Sequence, residues 1–429
     1  MIFNGKNVLI YGYGKSGKAA AKLLNRRGAN VKVYDDDYSK KDYLIFEEWA
    51  EDFKNIDIVV ISPAVSSLKS EVLELKLSGV PVISEIELGY ETCYGDVIAV
   101  TGTNGKTTTT KLINKIISES GVTSFELGNI GTPFCEVSDK LKTGDVAVVE
   151  VSSFQLEGVK NFSPEISVLL NIEPDHLDRH KTIECYEELK SRIFAKQGEG
   201  DFLVANLSDE RVAALTKRAN CTVVPFSISE VCDGAYLKGE SVFFKGEEVL
   251  KISVSPFKGR ELENLLAAVC VAKIRKIENS VIEKAVSEFK KPPHRVELVG
   301  VKNGKSIFDD SKATNISATI SAIEGVTDDT VLILGGSDKG EEFPELFEHI
   351  GKKIKRILVC GENAKSILHA ARLCGYREIT ECPSLENCVE LAYEGDERNI
   401  LFSPASKSFD RFSGYAERGD KFKEIVDKL

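Results

Sequence analysis

The sequence predicts an α/β protein with three domains. Short apolar runs alternate with helical patterns almost throughout, which is typical of βαβ units built around parallel sheets. The length of 429 residues suits about three domains of roughly 150 residues each. We expect a Rossmann-like domain over residues 1–92, a central parallel sheet of the P-loop ATPase type with a small β region over 93–291, and a second Rossmann-like domain over 292–429.

The N-terminal domain begins with a glycine-rich turn. The apolar run 8–11 leads into "GYGKSGK", whose glycines Gly12, Gly14 and Gly17 form a G-x-G-x-x-G pattern. Asp35 ends the next apolar run, where a dinucleotide-binding motif places its ribose-binding acid. Such a turn offers backbone N–H groups and a helix N-terminus to a diphosphate. The pattern alone leaves open whether the diphosphate belongs to a nicotinamide cofactor or to another nucleotide.

A second glycine-rich turn opens the central domain. The segment "TGTNGKT" follows the apolar run 97–100 and precedes a predicted helix. Lys106 places a positive charge near the β- and γ-phosphates of a nucleotide, and the Thr107 hydroxyl is placed to bind Mg²⁺. Val100 replaces the first glycine of the full Walker pattern, but strand, turn, G-K-T and helix still occur in order. We predict ATP binding by Gly102, Thr103, Asn104, Gly105, Lys106, Thr107 and Thr108.

Two further predicted strands end in polar residues at the same sheet edge. Glu150 interrupts the apolar run of "DVAVVEVSSF", and a buried carboxylate is costly unless it is paired or binds a metal. In phosphate-loop enzymes a carboxylate at such a position holds the metal. The next strand, "ISVLLNI", leads to Asp175, His176, Asp178 and His180. Two histidines four residues apart could bind zinc, whereas Mg²⁺ rarely takes histidine, so the role of His176 stays open at this point.

The remaining patterns place the other elements. Residues 234–254 contain runs of alternating polarity and glycine turns, which predicts a β-hairpin region. The helix of "ELENLLAAVCVAKIRK" follows, and the proline pair in "KKPPHRVEL" then ends the central domain, because proline cannot continue a helix. The last domain alternates again, with strands predicted in "SIFDDS", "TVLILGG", "RILVCG", "EITECP" and "NILFSP".

Composition restricts the function classes. The net charge of −11 argues against a sequence-independent nucleic-acid partner or an acidic membrane surface. The ten cysteines form no C-x-x-C pair, and the first residues lack a secretory pattern. No apolar run approaches the roughly 20 residues that span a bilayer. We therefore expect a cytoplasmic protein with free thiols that acts on small molecules, most simply as a monomer.

Several stretches together resemble one enzyme family. "GTNGKT", "EVSSFQLE" and "NIEPDHLDRH", followed by "YEELKSRIF", are similar to the ATP-dependent Mur ligases of bacterial cell-wall synthesis. Downstream, "ENLLAA", "PPHRVE", "DDSKATN", "ILGGSDKG" and "SPASKSFDRFSGYAERG" continue the match in the expected order. The final segments and "GNIG" are most similar to the branch of the family that adds D-glutamate to UDP-N-acetylmuramoyl-L-alanine.

The resemblance implies an active site with two Mg²⁺ ions. One ion is expected near Thr107 and Glu150, the other near His176 and Lys190, with a CO₂-derived carbamate on Lys190. As a carbamate this lysine would offer the anionic oxygen that Mg²⁺ prefers. The substrate carboxylate is expected to accept the γ-phosphoryl of ATP, and the amine of the amino acid then attacks the acyl phosphate. The catalytic residues implied are Lys106, Glu150, His176, Lys190 and Lys312.

The resemblance also implies the substrate contacts. Further ATP contacts are expected from Asn264, Arg295 and Asp310. The UDP-sugar contacts implied are Gly14, Lys15, Ser16, Asp35, Asn129 and His176. The amino-acid contacts implied are Thr314, Lys339, Ser408, Phe409 and Tyr415. Two more acids follow Asp35, where a basic or hydroxyl residue would be expected to help bind UDP.

Other functions account for less of the sequence. A nicotinamide-dependent oxidoreductase would leave "TGTNGKT", Glu150 and Lys190 without a role. A non-catalytic nucleotide-binding scaffold would not need a metal-binding carboxylate or Lys106. The main alternative is another Mur-type ligase, or a folylpolyglutamate synthase-like ligase, that adds a different amino acid. On the ligase interpretation, the first glycine-rich turn binds the diphosphate of a UDP-sugar.

Overall fold

The chain folds into an α/β protein whose described residues form three sheets. The computed structural model describes residues 3–44, 47–338 and 342–429. It contains two compact units, Met1–Pro256 with Leu262–Phe289 and Phe257–Glu261 with Lys290–Leu429. The first unit holds two of the sheets and the second unit holds the third. The predicted α/β class is confirmed, and the boundaries of the three domains stay a prediction.

The first sheet follows the predicted alternation of strands and helices. Its elements are β1 (Asn7–Tyr11), α1 (Lys15–Arg26), β2 (Asn30–Tyr34), β3 (Glu48–Trp49), β4 (Ile58–Ile61), α2 (Ser70–Leu77), β5 (Val82–Ser84) and α3 (Glu85–Thr92). The strands are parallel in the order β3-β2-β1-β4-β5. Alternate residues of β1 enter two different hydrophobic cores, which explains why the run is apolar throughout. The sequence analysis did not predict the two-residue strand β3.

The second sheet places three strand ends together. Its strands are β6 (Asp96–Thr101), β7 (Ser124–Gly128), β8 (Val146–Glu150), β9 (Ile166–Leu169), β10 (Phe202–Asn206), β11 (Thr222–Ser227), β12 (Ala235–Lys238), β13 (Ser241–Phe244) and β14 (Glu247–Lys251). Their order is β14-β13-β12-β11-β10-β9-β6-β8-β7. The predicted hairpin region is the antiparallel part, β12 to β14. The strands β8 and β9 flank β6 in parallel, so the polar residues that follow them meet at one edge.

Eight helices belong to the described residues of this part of the chain. They are α4 (Lys106–Glu119), α5 (Phe134–Val137), α6 (Ser153–Leu156), α7 (Leu177–His180), α8 (Ile183–Ser191), α9 (Glu210–Thr216), α10 (Leu262–Ile274) and α11 (Asn279–Ser287). Between Leu262 and Ala272, every residue of α10 except Asn264 is buried, as expected of a core helix. In the part of the chain that the structure describes, no helix combines the length and the apolar character that crossing a bilayer requires.

The third sheet forms the core of the second unit. Its strands are β15 (Glu297–Lys302), β16 (Lys305–Asp309), β17 (Thr330–Leu334), β18 (Ile354–Val359), β19 (Ile379–Glu381) and β20 (Asn399–Phe402). Its helices are α12 (Ile316–Glu324), α13 (Pro344–Glu348), α14 (Ala364–Leu373), α15 (Leu385–Glu394) and α16 (Tyr415–Asp427). The order is β15-β16-β20-β17-β18-β19. The strand predicted after "KKPPHR" is β15, which pairs antiparallel with β16, while the other pairs are parallel.

A buried acid on α3 lies against the segment that follows β7. The side chain of Glu85 is 1% exposed. Its Oε1 accepts the backbone N–H of Cys135 at 2.6 Å, whereas Oε2 is buried without a hydrogen-bond partner. Burial raises the pKa of Glu85 to about 7, because the ionised carboxylate loses its hydration.

The raised pKa of Glu85 makes stability depend on pH. The folded chain holds this proton more tightly than the unfolded chain, so the stabilisation is complete below the ordinary pKa of 4.5 and is lost as the pH rises through about 7. The ionisation of Glu85 should lower the free energy of unfolding of the wild type by about 2–3 kcal/mol as the pH rises, and Glu85→Gln should lack this decrease. Urea unfolding of both proteins at about pH 5 and about pH 8 measures the effect. The control is Glu74→Gln, because Glu74 is exposed. If the free energies of unfolding of wild type and Glu85→Gln differ by the same amount at both pH values, the prediction is contradicted.

Candidate active site

The glycine-rich turn 102–105 joins β6, which lies between β9 and β8 in the second sheet, to α4. Gly105 has a left-handed backbone with φ of 83°. A Cβ atom at Gly105 would lie 2.1 Å from Oδ1 of Asn264, so both the backbone and the available space require glycine. The turn therefore presents the N-terminus of α4 at the edge where a phosphate would bind.

α10 brings the predicted ATP contact Asn264 to this turn. Its Oδ1 accepts the hydroxyl of Thr109 at 3.1 Å. Thr108, which the sequence pattern assigned to the ATP loop, is buried in the first turn of α4. Asn264 thus joins a helix from far along the chain to the start of α4.

Lys106 lies over the turn that precedes it. Its Nζ donates to the carbonyl oxygens of Gly102 and Thr103, at 2.9 Å and 2.8 Å. The ammonium group therefore occupies the position beside the loop backbone that the sequence pattern predicts for a phosphate-binding lysine.

The carboxylate of Glu150 is buried and hydrogen-bonded through both oxygens. Glu150 ends β8 beside Val100 of β6 and is 2% exposed. The Thr107 hydroxyl donates to Oε2 at 2.8 Å, and Nδ2 of Asn129 donates to Oε1 at 2.8 Å. The structure thus brings together Thr107 and Glu150, the predicted metal ligands. It also places Asn129, a predicted UDP-sugar contact, directly on this carboxylate.

Lys190 is buried under the same turn. As an ordinary helix lysine it would be solvated, yet it is 1% exposed and its Nζ donates to the carbonyl oxygen of Gly102 at 2.7 Å. Burial and then the positive charge of Lys106 lower the pKa of Lys190 well below its usual range, against the opposite effects of Asp175 and Glu150. A single carbonyl oxygen therefore accepts hydrogen bonds from both lysines.

The two histidines of "DHLDRH" have different surroundings. His176 precedes α7 with φ of 56°, and its Nε2 lies 3.6 Å from a carboxylate oxygen of Asp175. His180 is buried, and its Nε2 shares a hydrogen bond of 2.9 Å with the hydroxyl of Ser153. Within the described ranges, neither histidine belongs to a group of three or more side chains that could hold a metal. This arrangement does not support the zinc interpretation.

Two residues that the sequence analysis did not select hold the turn in place. Oδ1 of Asn171 accepts the N–H of Asn104 at 2.7 Å, and its carbonyl oxygen accepts the N–H of Thr103 at 2.9 Å. Glu173 accepts the side-chain amide of Asn104 at 2.8 Å. Both residues lie in the segment between β9 and α7. The signal that could have identified them is the one that selected Asp175, a polar residue just beyond a strand next to β6.

The first glycine-rich turn has the tight geometry that its pattern predicts. Gly12 has φ of 93°, and a Cβ atom at Gly17 would lie 2.0 Å from the carbonyl oxygen of Gly12. Oδ2 of Asp35 accepts the N–H of Tyr13 at 2.5 Å, so this acid fixes the turn. Gly14 caps α1, whose first residues are Lys15 and Ser16.

A basic residue reaches the acid cluster after Asp35 from a distant part of the chain. Nζ of Lys69 lies 2.5 Å from a carboxylate oxygen of Asp36 and donates to the hydroxyl of Tyr11 at 2.9 Å. The sequence analysis expected help only from residues next to Asp35 and found none. β1 and β4 are neighbours, which brings Tyr11 and the loop of Lys69 together. The UDP contacts inferred for this turn stay a prediction.

In the second unit, two predicted residues follow β16. Asp310 is buried, and its Oδ2 accepts the Ser403 hydroxyl at 2.6 Å. Burial raises the pKa of Asp310 to about 7, although this hydrogen bond and the charge of Arg295 act to lower it. Nζ of Lys312 lies 4.2 Å from the centre of the Tyr415 ring. Arg295, Asp310, Lys312 and Tyr415 therefore share one region of this unit.

The other predicted amino-acid contacts have different exposures. Ser408 is buried, whereas Phe409 is 64% exposed. Thr314 is half-buried and lies just before α12. Lys339 lies outside the described residues.

At one of the two predicted Mg²⁺ positions, the unmodified side chains offer suitable donor atoms. The Thr107 hydroxyl and the Glu150 carboxylate are oxygen ligands of the kind that Mg²⁺ binds. At the other position, His176 and Lys190 offer an imidazole and an amine, which Mg²⁺ accepts poorly. That donor set fits Mg²⁺ when Lys190 carries a carbamate.

Relatives cover the full length of the chain. It is 38% identical over 456 aligned residues to the UDP-N-acetylmuramoylalanine–D-glutamate ligase of Thermoanaerobacter pseudethanolicus, with 100% of both chains covered. It is 40% identical over 444 residues to the protein of the same name from Caldanaerobacter subterraneus, with 99% of this chain and 98% of the relative covered.

A solved structure shares the fold. The MurF ligase of Thermotoga maritima in complex with ADP matches with a TM-score of 0.62 and 18% identity, covering 99% of this chain and 96% of that chain. Domain profiles agree: the Mur ligase middle domain matches residues 100–272, and the glutamate ligase domain of Mur ligases matches residues 294–405. On the strength of these matches and of the phosphate loop with its buried carboxylate, the chain belongs to the Mur ligase family.

Proposed function

We propose that this chain is an ATP-dependent ligase that joins D-glutamate to UDP-N-acetylmuramoyl-L-alanine and forms ADP and phosphate. The observation that carries the proposal is the convergence of Lys106 and Lys190 on the turn 102–105, beside Glu150, which accepts the hydroxyl of Thr107. Relatives that are 37–40% identical over nearly the whole chain bear the name of this ligase. The product would be a precursor of peptidoglycan.

Amide formation requires activation of the carboxylate, because an amine does not displace an oxide ion. Transfer of the γ-phosphoryl group of ATP to the carboxylate of the alanine gives an acyl phosphate. The amine of D-glutamate then attacks the carbonyl carbon, and the tetrahedral intermediate loses phosphate. Lys106 would stabilise the negative charge of the transferred phosphoryl oxygens. No protein nucleophile takes part.

The buried carboxylate would fix one Mg²⁺ ion. Thr107 and Glu150 would hold it, and when bound it neutralises charge on the phosphate oxygens. Asn129 donates to the second oxygen of Glu150 and so prevents the carboxylate from rotating. Asn129 would therefore orient a metal ligand in addition to its inferred contact with the UDP-sugar.

We infer that Lys190 carries a carbamate in the active enzyme. Only a neutral amine attacks CO₂, and burial beside Lys106 favours the neutral form by lowering the pKa of Lys190. The reaction forms an N–C bond and releases one proton. The resulting anion would replace a buried amine by an oxygen ligand, and the positive charges of Lys106 and of the metal would stabilise it.

The substrates would bind at the ends of the sheets where loops follow parallel strands. The UDP-sugar diphosphate is assigned to the turn with Gly14, Lys15 and Ser16, which Asp35 holds in shape. D-glutamate is assigned to the second unit, whose inferred contacts are Thr314, Lys339, Ser408, Phe409 and Tyr415. Arg295, Asp310 and Lys312 are assigned to the nucleotide. A cytoplasmic, monomeric enzyme is part of the proposal.

Substrate dependence tests the proposed reaction. We expect phosphate release from ATP only when UDP-N-acetylmuramoyl-L-alanine and D-glutamate are both present with Mg²⁺. L-glutamate, L-lysine, meso-diaminopimelate and L-alanine serve as competing amino acids in the same assay. Release of phosphate with one of these instead of D-glutamate would favour another Mur-type ligase. Release with a folate substrate in place of the UDP-sugar would favour the folylpolyglutamate-type alternative.

Removal of the Glu150 charge tests the metal site. We expect Glu150→Gln to lower kcat at least ~100-fold and to raise the Mg²⁺ concentration for half-maximal rate at least ~10-fold, because the amide is a weaker ligand of nearly the same shape. A Mg²⁺ titration of the phosphate-release rate measures both. Glu126→Gln is the control, because this acid lies on the neighbouring strand β7 and pairs with Lys111 of α4. An unchanged Mg²⁺ dependence would contradict the assignment.

Replacement of Lys190 tests the carbamate. We expect Lys190→Ala to lose at least ~100-fold in kcat and to recover part of it with added acetate or propionate, which restore an anionic oxygen. In the wild type, ¹³C-labelled bicarbonate should give a carbamate carbon signal by NMR that the variant lacks. The exposed Lys196→Ala should keep both activity and signal. Parent-like activity of Lys190→Ala, or the same signal in both proteins, would exclude a carbamate on Lys190.

A further inference from the structure

Three cysteines converge at one edge of the third sheet. β18 and β19 are parallel neighbours in which Val359 lies beside Glu381, so Cys360 and Cys382 follow adjacent strand ends. The N–H of Cys382 donates to the carbonyl oxygen of Val359 at 2.8 Å, which fixes this register. Cys388, on α15, belongs to the same hydrophobic cluster of buried residues as both of these cysteines. Cys388 is fully buried, and Cys360 is 8% exposed.

Cys360 borders a cavity of about 200 Å³ within the second unit. Gly335 and Gly361 form part of its wall, and Leu385 and Phe402 supply apolar surface. A cavity of this volume admits several molecules of the size of water. A small solute in this cavity therefore lies next to Cys360, although the side chain is largely buried.

The cavity carries more positive than negative side chains. Arg411, Arg418 and Lys421 line it, against the two carboxylates of Glu386 and Asp410. Lys421 lies 3.7 Å from Glu386, so part of the charge is balanced locally. The remaining charges are those of two arginines and one aspartate. Such a setting favours an anion at the cavity wall.

Arg418 is a buried charge that lacks a carboxylate partner within the described ranges. It is 2% exposed, its Nη atoms donate to backbone carbonyl oxygens, and its Nε is buried without a partner. Burial lowers the pKa of Arg418 to about 10. The hydrogen bond from Cys388 and the charge of Arg411 lower the pKa of the Cys360 thiol, against the effect of burial. A thiolate at Cys360 would thus supply a negative charge opposite the buried guanidinium of Arg418.

The three cysteines share one buried cluster without surrounding a common centre. In the part of the chain that the structure describes, the one group with ligand atoms within 4.8 Å of one another consists of His294, Glu297 and Asp309. The three cysteines do not form such a group. A soft metal ion needs its ligands around one centre, so three cysteines that do not form such a group favour disulfide chemistry over metal binding.

We propose that Cys360 is a peroxide-reactive thiol and that Cys388 is its resolving partner. The Cys360 thiolate attacks one oxygen of a hydroperoxide in the cavity, the O–O bond breaks, and the leaving oxygen takes up a proton to form water or an alcohol. The Cys388 thiol then attacks the sulfenic sulfur of Cys360. Its proton leaves with the hydroxyl as water, and a disulfide remains. The two sulfurs lose two electrons in total, and the hydroperoxide gains two.

Oxidation of Cys360 would displace the turn that follows β17. A Cβ atom at Gly335 would lie 1.7 Å from the carbonyl oxygen of Cys360, so the turn after β17 packs directly on the backbone of this cysteine. A Cβ atom at Gly361 would lie 2.7 Å from the N of Gly336. Movement of Cys360 towards Cys388 would therefore be transmitted to the end of β17.

Mass spectrometry of the full-length protein tests the proposal. The reduced protein is treated with hydrogen peroxide, the remaining thiols are alkylated, and the peptides are identified. We expect a Cys360–Cys388 disulfide that dithiothreitol reverses. In the untreated folded protein, iodoacetamide should alkylate Cys360 at least ~10-fold faster than Cys270, which is fully buried in α10. The readout is a mass, so it is independent of the ligase activity.

Variants separate the two roles. In Cys388→Ser and in Cys388→Ala, Cys360 should stop at the sulfenic acid, which dimedone traps. Two replacements are used because the site is buried, and circular dichroism melting identifies the one that remains folded. Cys270→Ser should form the Cys360–Cys388 disulfide as the wild type does. A disulfide between Cys382 and Cys388, unmodified Cys360 after oxidation, or one Zn²⁺ per chain that protects all three thiols would overturn the proposal.

Discussion

The buried carboxylate of Glu150 is the constraint on which the candidate active site depends. A charge in the middle of a sheet is costly unless its oxygens accept hydrogen bonds, and Thr107 and Asn129 supply these. Thr107 can do so because the turn 102–105 leads directly from β6 into α4. The order β9-β6-β8 then brings the ends of three strands to one edge. Without this order, the turn, the carboxylate and the residues after β9 would not meet.

The turn 102–105 also brings two lysines to one carbonyl group. Gly102 accepts hydrogen bonds from Lys106 and Lys190, although two ammonium groups so close would repel each other. The lowered pKa of Lys190 relieves part of this repulsion, because the neutral amine carries no charge. Burial of a lysine costs stability, because it penalises the charged form of the side chain. The carbamate proposed for Lys190 would use this effect, because only a neutral amine reacts with CO₂.

Local sequence patterns predicted much of this arrangement. The alternation of apolar runs placed most strands, and the two glycine-rich turns and Glu150 followed from spacing and from the cost of a buried charge. The patterns missed β7 and the short strand β3, and they gave no indication that Asn171 and Glu173 hold the turn. These contacts depend on which strands are neighbours, and a single sequence does not specify strand order. The same limit applies to Cys360, Cys382 and Cys388, whose convergence requires the register of β18 with β19.

The two glycine-rich turns have similar backbone geometry, and the proposed function assigns them different ligands. In the first turn, both carboxylate oxygens of Asp35 accept backbone N–H groups, those of Tyr13 and Asp37. An acid used in this way is less available to bind the ribose hydroxyls of a nicotinamide cofactor, as the G-x-G-x-x-G pattern alone would suggest. The nearest ionic partner of the acid cluster is Lys69, which comes from the loop after β4. On the proposed function this turn would bind a diphosphate, and residues from other segments would select the nucleotide that carries it.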